Sequence, residues 1–451
     1  MGMSELPSGW AKCSLEDCVE ILDSLRVPIN NSERQQRIEG KTSGQLYPYY
    51  GATGQVGLID SFLFDEELVA LGEDGVPFLD PMKPKAYMLY GKTWVNNHAH
   101  VLRGLNGVAT NKFVHYYLNQ FDYQGFVNGG TRLKLTQASM RAIPVTLPPL
   151  AEQTRIAQKL DELLAQVDTL KARIDAIPTL LKRFRQSVLA AAVSGKLTEA
   201  WRTANASTDN GWSMIRIDQA SKDERYSLAI GPFGSNLKVS DYRDEGKPLV
   251  FVREIRAERF GDEKTKFITP EKFAELSAHQ ISAGDILITK MGDPPGDVAI
   301  YPESAPDAVI TADCIKLRIN ESIISRKFAY FQMKSELFRQ KIQEISAGVA
   351  QQKVSLGNFR ELDLLVPSLQ EQAEIVHRVE QLFTFADQLE AKVTSAKSRI
   401  DHLTQSIQAK AFRGELVPQD PNDEPASVLL ERIKAQRAAA PKAKRGRKAS
   451  V

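Results

Sequence analysis

Several short stretches of this chain hold residue types that do chemistry, and for each the question is whether the spacing is right. "GDPPGD" (Gly292 to Asp297) has the Asp-Pro-Pro of the loop with which amino-methyltransferases stack a flipped base, but Gly296 stands where the aromatic ring belongs. It reads as a tight turn. "GKT" occurs at Gly40–Thr42 and Gly91–Thr93, neither with the upstream glycine that a phosphate-cradling loop needs. "NNHAH" (Asn96 to His100) puts two histidines on one face of a strand, with no third metal ligand nearby. Asp23 with Glu39-x-Lys41 has the acids and lysine of a nuclease site in a pattern short enough to arise by chance. Cys13-x4-Cys18 lacks the second pair of a zinc set. No catalytic residue and no metal ligand is assigned.

The elements that would position any site come next. With 451 residues, 42% hydrophobic and 25% charged, the chain suits a globular protein of roughly two to four domains. Its net charge is only +2, so any affinity for a polyanion must rest on local charge. No apolar run approaches the roughly 20 residues that cross a bilayer. "MGMSELPSGW" lacks the pattern of a signal peptide, and three cysteines make no disulfide framework. A reducing, cytoplasmic compartment is expected, with no membrane partner.

One pattern is written twice. "LPPLAEQTRIAQKLDELLAQVD" (Leu147 to Asp168) returns without a gap as "VPSLQEQAEIVHRVEQLFTFAD" (Val366 to Asp387). In the first copy Ile156, Leu160, Leu163, Val167, Leu170, Ile174, Ile177, Leu181, Phe184 and Val188 alternate steps of four and three. In the second, Ile375, Val379, Leu382, Ala386, Leu389, Val393, Ala396, Ile400, Leu403 and Ile407 do the same. An ordinary amphipathic helix drifts off that period over this length, whereas a coiled coil keeps it. Pro148-Pro149 and Pro367 block a helix upstream, Glu152 and Glu371 favour the positive end of the dipole, and Gly195 and Gly414 supply left-handed stops. Each helix is then about 40 residues, or roughly 60 Å. Pro178 interrupts only the first copy, where a kink is expected. Neither helix can bury its seam alone. The expectation is an intramolecular antiparallel pair, a rod between two domains, although pairing between two chains uses the same seams.

The stretches between the helices carry short β-like runs broken by Gly, Pro, Asn and Asp, such as "ELVALGEDGVPFLD" and "GDILITKMGD", with helix-like segments including "NKFVHYYLNQF". Their closing segments echo each other, pairing Lys134 with Lys353, while their middles do not align. The fold expected is therefore α+β: a tandem duplication of two mixed domains with β-rich cores, joined by two long helices. The boundaries read as 1–147 for the first domain, 148–198 for the first helix, 199–366 for the second domain, 367–417 for the second helix and 418–451 for a tail. Similar frames with different centres suggest similar jobs on different targets.

The helix segments, from "LPPLAEQTRIAQKLDELLAQVDTLKARI" to "VSGKLTEAWR" and again to "FRGELVPQD", resemble the specificity subunit of type I restriction–modification systems; "LYPYYGATGQVGLID" and "GPFGSNL…GDILITKMGD" look like its target-recognition domains. The likeness spans nearly the whole chain. It implies a non-catalytic subunit that reads a bipartite site in double-stranded DNA, one domain per half, with the helices setting the unread gap and docking two methyltransferase subunits. It also implies that S-adenosylmethionine, ATP and magnesium belong to those partners and to restriction/translocase subunits, and that none is held by this chain. Half-sites about one turn of DNA apart, roughly 34 Å, suit such a separation. The rival reading is a coiled-coil scaffold with two protein-binding domains and no DNA contact.

Phosphates require Lys, Arg or backbone donors, and base edges require Arg, Lys, Asn, Gln or small groups. In the first domain the candidates are Tyr47, Tyr49 and Tyr50 with the "GATG" loop, Lys83, Lys85, Lys92, Asn96, Asn97, Arg132 and Lys134. In the second they are Asn236, Lys238, Arg253, Arg256, Arg259, Lys290, Gln351, Gln352 and Lys353. At least half of the set is expected to face DNA. The C-terminal run "KAQRAAAPKAKRGRKASV", basic and without an acid, is expected to be disordered.

Overall fold

The computed structural model describes residues 6–205, 211–347 and 352–439. The chain divides into two compact units, Met1–Asp175 with Ser395–Val451, and Ala176–Thr394. Both cuts fall inside long helices, Leu150–Val193 and Leu369–Phe412, so each unit owns part of each helix. The first helix runs uninterrupted through Pro178, and the units divide just ahead of that proline. Gly195 and Gly414 both take φ of +74°, the left-handed geometry that stops each helix. Among the described residues no helix is long and apolar enough to cross a membrane.

The helices are antiparallel within each unit, and the pairing is within one chain. In the first unit Lys171 meets Asp401 at 3.4 Å and Asp175 meets Lys397 at 2.7 Å, so one helix descends as the other rises. Ile156, Leu160 and Val167 pack with Ile400 and Ile407, and Leu163 and Ile174 flank them. In the second unit Arg185 binds Asp387 at 2.5 Å, while Val188 shares a core with Ile375 and Val379, against which Leu382 packs. Val393 is buried and Leu389 half-buried. Two expected seam residues are corrected: Leu170 and Leu403 remain 45% and 47% exposed. Away from the domain cores two helices have only each other, and one pair cannot enclose every a and d side chain.

Each unit frames its domain with the same pair of strands. In the first, Ala11–Ser14 pairs antiparallel with Pro144–Leu147; in the second, Ser213–Arg216 pairs antiparallel with Asp363–Val366. Between them lie two four-stranded sheets. In the first domain Val19–Ile21, Ala99–Gly104, Leu68–Gly72 and Ala86–Leu89 follow in that order, all antiparallel. In the second, Leu228–Ile230, Cys314–Leu317, Ile286–Thr289 and Val298–Ile300 repeat the order and the directions. The other sheet of the first domain holds Gly54–Ile59, Tyr47–Gly51, Lys92–Val95 and Phe64–Asp65, with its middle pair parallel. Lys266–Ile268, Lys247–Val250, Ala308–Ile310 and Gln280–Ile281 match it, parallel middle pair included. The middles that do not align in sequence share one topology. Their central strands Leu68–Gly72 and Ile286–Thr289 are buried throughout, which explains their apolar runs without alternation.

Domain and helix are joined by a repeated side chain. Gln153, fully buried, donates from Nε2 to the carbonyls of Pro148 (3.0 Å) and Val108 (2.8 Å), and its Oε1 accepts from Thr110 N (3.0 Å). Gln372, equally buried, donates to Pro367 (2.8 Å) and Ile323 (3.2 Å) and accepts from Ser325 N (2.6 Å). The acids beside them also turn inward. Glu152 accepts from Trp10 Nε1 at 3.1 Å, with burial pushing its carboxyl above the ordinary range, and Glu371 accepts from Thr198 and Arg202, each at 2.7 Å.

Candidate nucleic-acid interface

In each domain the strand ends of the two sheets meet at a rim with one backbone design. In the first, Asn96 N donates to Tyr50 O (3.1 Å), Glu73 N to His98 O (2.8 Å) and Leu135 N to Glu73 O (2.8 Å). In the second, Thr311 N donates to Val250 O (2.9 Å), Lys290 N to Asp313 O (2.7 Å) and Val354 N to Lys290 O (3.0 Å). The rims thus set Glu73 in one domain where Lys290 stands in the other, and His98 where Asp313 stands. The frame is kept and the charges are exchanged.

The first rim brings together Tyr50, Asn96, Asn97, Arg132 and Lys134, with the Ala52 carbonyl close to Gly72. Arg132 binds Asp74 at 3.0 Å, His98 Nδ1 lies 2.9 Å from the same carboxylate, and Lys134 binds Glu73 at 3.2 Å. Behind them His100 is held between Asp23 Oδ2 (2.6 Å) and the Leu135 carbonyl (3.1 Å). Burial pushes the Asp23 carboxyl up, but the His100 ring and the Val101 and Gln137 donors more than offset this and hold it below its ordinary value. Arg26 binds Glu73 at 3.0 Å. Arg132 and Lys134 form an exposed outer layer fixed by the less exposed carboxylates of Asp74 and Glu73, and both ring nitrogens of His100 are taken up by hydrogen bonds. Lys41 pairs instead with Asp60, at 2.7 Å.

The second rim brings together Arg256, Lys290, Gln352 and Lys353. Met291 and Gly292 pair antiparallel with Lys353 and Gln352, and Lys290 Nζ donates to Ala312 O at 3.3 Å. Arg256 Nε donates to Asp297 at 2.8 Å, and a Cβ on Gly292 would stand 3.0 Å from its guanidinium, so glycine there leaves room for the arginine. "GDPPGD" is a turn: Gly296 takes φ of +97°, and its N–H and that of Asp297 donate to Thr289 Oγ1 at 3.0 and 2.8 Å.

Most other candidates lie elsewhere, and three, Asn96 of the rim among them, are corrected. Lys85 is 2% exposed, its ammonium donating to Asp80 O at 2.5 Å, and burial pushes its pKa down; it supports a loop from within. Tyr49, 5% exposed, belongs to a small core with Ile59 and Trp94. Asn96 is buried on the rim and caps the turn by accepting from His98 N at 2.8 Å. Tyr47 and Lys92 share an aromatic-cation cluster with Phe62 at the opposite end of their strands from Asn96. Lys83 is exposed on the loop that Lys85 anchors. Arg253 lies over the Phe251 ring and donates to Lys264 O at 2.7 Å. Asn236, Lys238 and Arg259 are exposed. Gln351 and the basic tail past Ala439 lie outside the described residues. Sequence reasoning missed Glu73, Asp74 and Asp297, because a carboxylate that orders a cation carries no DNA-binding signature of its own.

Comparison with known proteins places the architecture. The family described as "Type I restriction modification DNA specificity domain" matches residues 7–179 and 237–396, one match per repeat. The chain is 35% identical over 325 residues to the type I restriction enzyme EcoKI specificity subunit of Escherichia coli (strain K12), covering 69% of this chain and 68% of that one. It is 30% identical over 484 residues to the EcoDI specificity subunit of Escherichia coli, covering both chains completely. The fold is shared with the HsdS subunit from Thermoanaerobacter tengcongensis (TM-score 0.56, 16% identity, 92% of this chain and 99% of that one). It is shared too with a chain from a solved type I R-M system (TM-score 0.60, 16% identity, 92% and 100%). This chain belongs to the family of type I restriction–modification specificity subunits, and its two domains are target-recognition domains.

Proposed function

We propose that each rim reads one half of a bipartite site in double-stranded DNA, and that the paired helices set the number of unread base pairs between the halves. The observation that carries this is the exchange of Glu73 for Lys290 and His98 for Asp313 on one conserved backbone frame: identical supports present different hydrogen-bonding edges. Rim cations Arg132, Lys134, Arg256, Lys290 and Lys353 suit phosphates and purine acceptors, and Asn97 and Gln352 suit adenine or other base edges. The helices dock two methyltransferase subunits, and restriction/translocase subunits join through that complex. The chain itself is non-catalytic; S-adenosylmethionine, ATP and magnesium act in the partners.

The test is to co-express the chain with its methyltransferase subunits and map methylated adenines across a host genome by single-molecule sequencing. Two short specific blocks separated by a fixed gap are expected. Methylation at a single continuous motif would sink the two-rim reading. A stable complex that leaves all DNA unmethylated, with affinity insensitive to salt, would favour the protein scaffold instead.

A further inference from the structure

Cys13 and Cys18 take no part in the rim or the long-helix seam, yet the fold turns them toward each other. Cys13 lies on Ala11–Ser14, Cys18 closes the helical turn Leu15–Cys18, and their sulfurs stand 3.1 Å apart. Both backbones are pinned. Cys13 pairs across the strands with Val145, and Ser14 donates from its N and its Oγ to Asp17 at 3.0 and 2.7 Å. A disulfide needs about 2.05 Å between sulfurs, so an approach of roughly 1 Å separates the two thiols from a bond. Cys13 is half-buried and reachable, whereas Cys18 is 1% exposed and faces the core. The second unit builds the same corner with Ile215 opposite Leu364 and Ala220 closing its turn, so the frame does not require thiols there.

We propose that Cys13 and Cys18 are an oxidative modification site, oxidised by a peroxide to a reversible disulfide. The Cys13 thiolate attacks one peroxide oxygen, breaking the O–O bond to give a sulfenic acid and the first water. The Cys18 sulfur then displaces the hydroxyl from the Cys13 sulfur, forming the S–S bond and releasing the second water. Two thiols and one peroxide become one disulfide and two waters. The close second thiol intercepts the sulfenic acid before it reaches the irreversible sulfinic stage.

The test treats the full-length protein with hydrogen peroxide, denatures it, alkylates it with iodoacetamide and digests it with trypsin. Cleavage after Lys12 and Arg26 leaves both thiols in one peptide. That peptide is expected two hydrogens lighter and without alkyl groups, with both groups restored when dithiothreitol precedes alkylation. Cys18→Ala, the residue of the second unit, is expected to leave Cys13 as a sulfenic acid trapped by dimedone. Cys314, fully buried with its thiol pushed up to about 12, stays unoxidised and reports an intact fold. A treated peptide that still carries two alkyl groups, or Cys13 sulfinic acid beside alkylated Cys18, would overturn the proposal.

Discussion

Gln153 and Gln372 make the same three hydrogen bonds in the two halves of the chain, each tying the start of a long helix to the domain before it. Gln153→Leu removes those bonds and leaves buried backbone groups without partners, a loss of about 2–4 kcal/mol. Hydrogen exchange on the variant is expected to show faster opening around Val108 to Gln153 and unchanged protection around Ile323 to Gln372. Equal acceleration at both places would show that the two locks are not independent.

The seam sets up a paired comparison. Leu160 is fully buried with Ile156 and Ile407, so Leu160→Ala is expected to destabilise its unit by about 2–5 kcal/mol. Leu170→Ala, on the same heptad pattern but half exposed, is expected to change it by no more than about 0.5–1 kcal/mol. Denaturant unfolding of both variants decides between a uniform seam and one that varies with local cover.

Lys316 is buried, its ammonium donating to Gln280 O at 2.5 Å, and burial pushes its pKa down to about 8. Between that value and the ordinary 10.5 the unfolded chain holds a proton that the folded chain lacks, so this residue's contribution makes stability rise with pH across the window. Below it the fold bears a buried charge. Lys316→Met is therefore expected to raise stability at pH 7 by roughly 1–3 kcal/mol and to flatten the rise toward pH 10. Thermal unfolding of both proteins at the two pH values checks the sign.

For DNA, Arg132→Ala, Lys134→Ala, Arg256→Ala and Lys353→Ala are each expected to weaken binding. Each is also expected to lower the log–log salt slope by about one for each phosphate contact removed. Lys85→Met is expected to leave the slope unchanged and to loosen the loop that carries Lys83. Filter or anisotropy titrations across salt concentrations separate these outcomes.

The helices were legible because a seam declares itself by period: Ile156 to Val188 and Ile375 to Ile407 needed only counting. The helix ends were legible for the same local reason, glycines at Gly195 and Gly414. The shared topology of the domain centres was not. Strands of four or five residues, buried throughout, impose no more than apolarity, so Leu68–Gly72 and Ile286–Thr289 share a place without sharing a sequence. Residue type could not separate Lys85 from Lys83, because burial of a lysine is decided by a neighbouring carbonyl that only the fold supplies. Gln153 and Gln372 were visible as the repeated "EQ" of both helix openings, but a backbone donor on Thr110 or Ser325 cannot be inferred from one helix alone.

The division of the units inside both helices has a consequence for how the chain comes together. The second unit is one unbroken segment, Ala176–Thr394, and has everything it needs once Thr394 has been made. The first is built from both ends of the chain, and its seam stays open until Ile400 and Ile407 arrive to cover Ile156 and Leu160. Synthesis therefore delivers the later domain's complete material first. The earlier domain waits, with its seam facing water, for the end of the second long helix to close it.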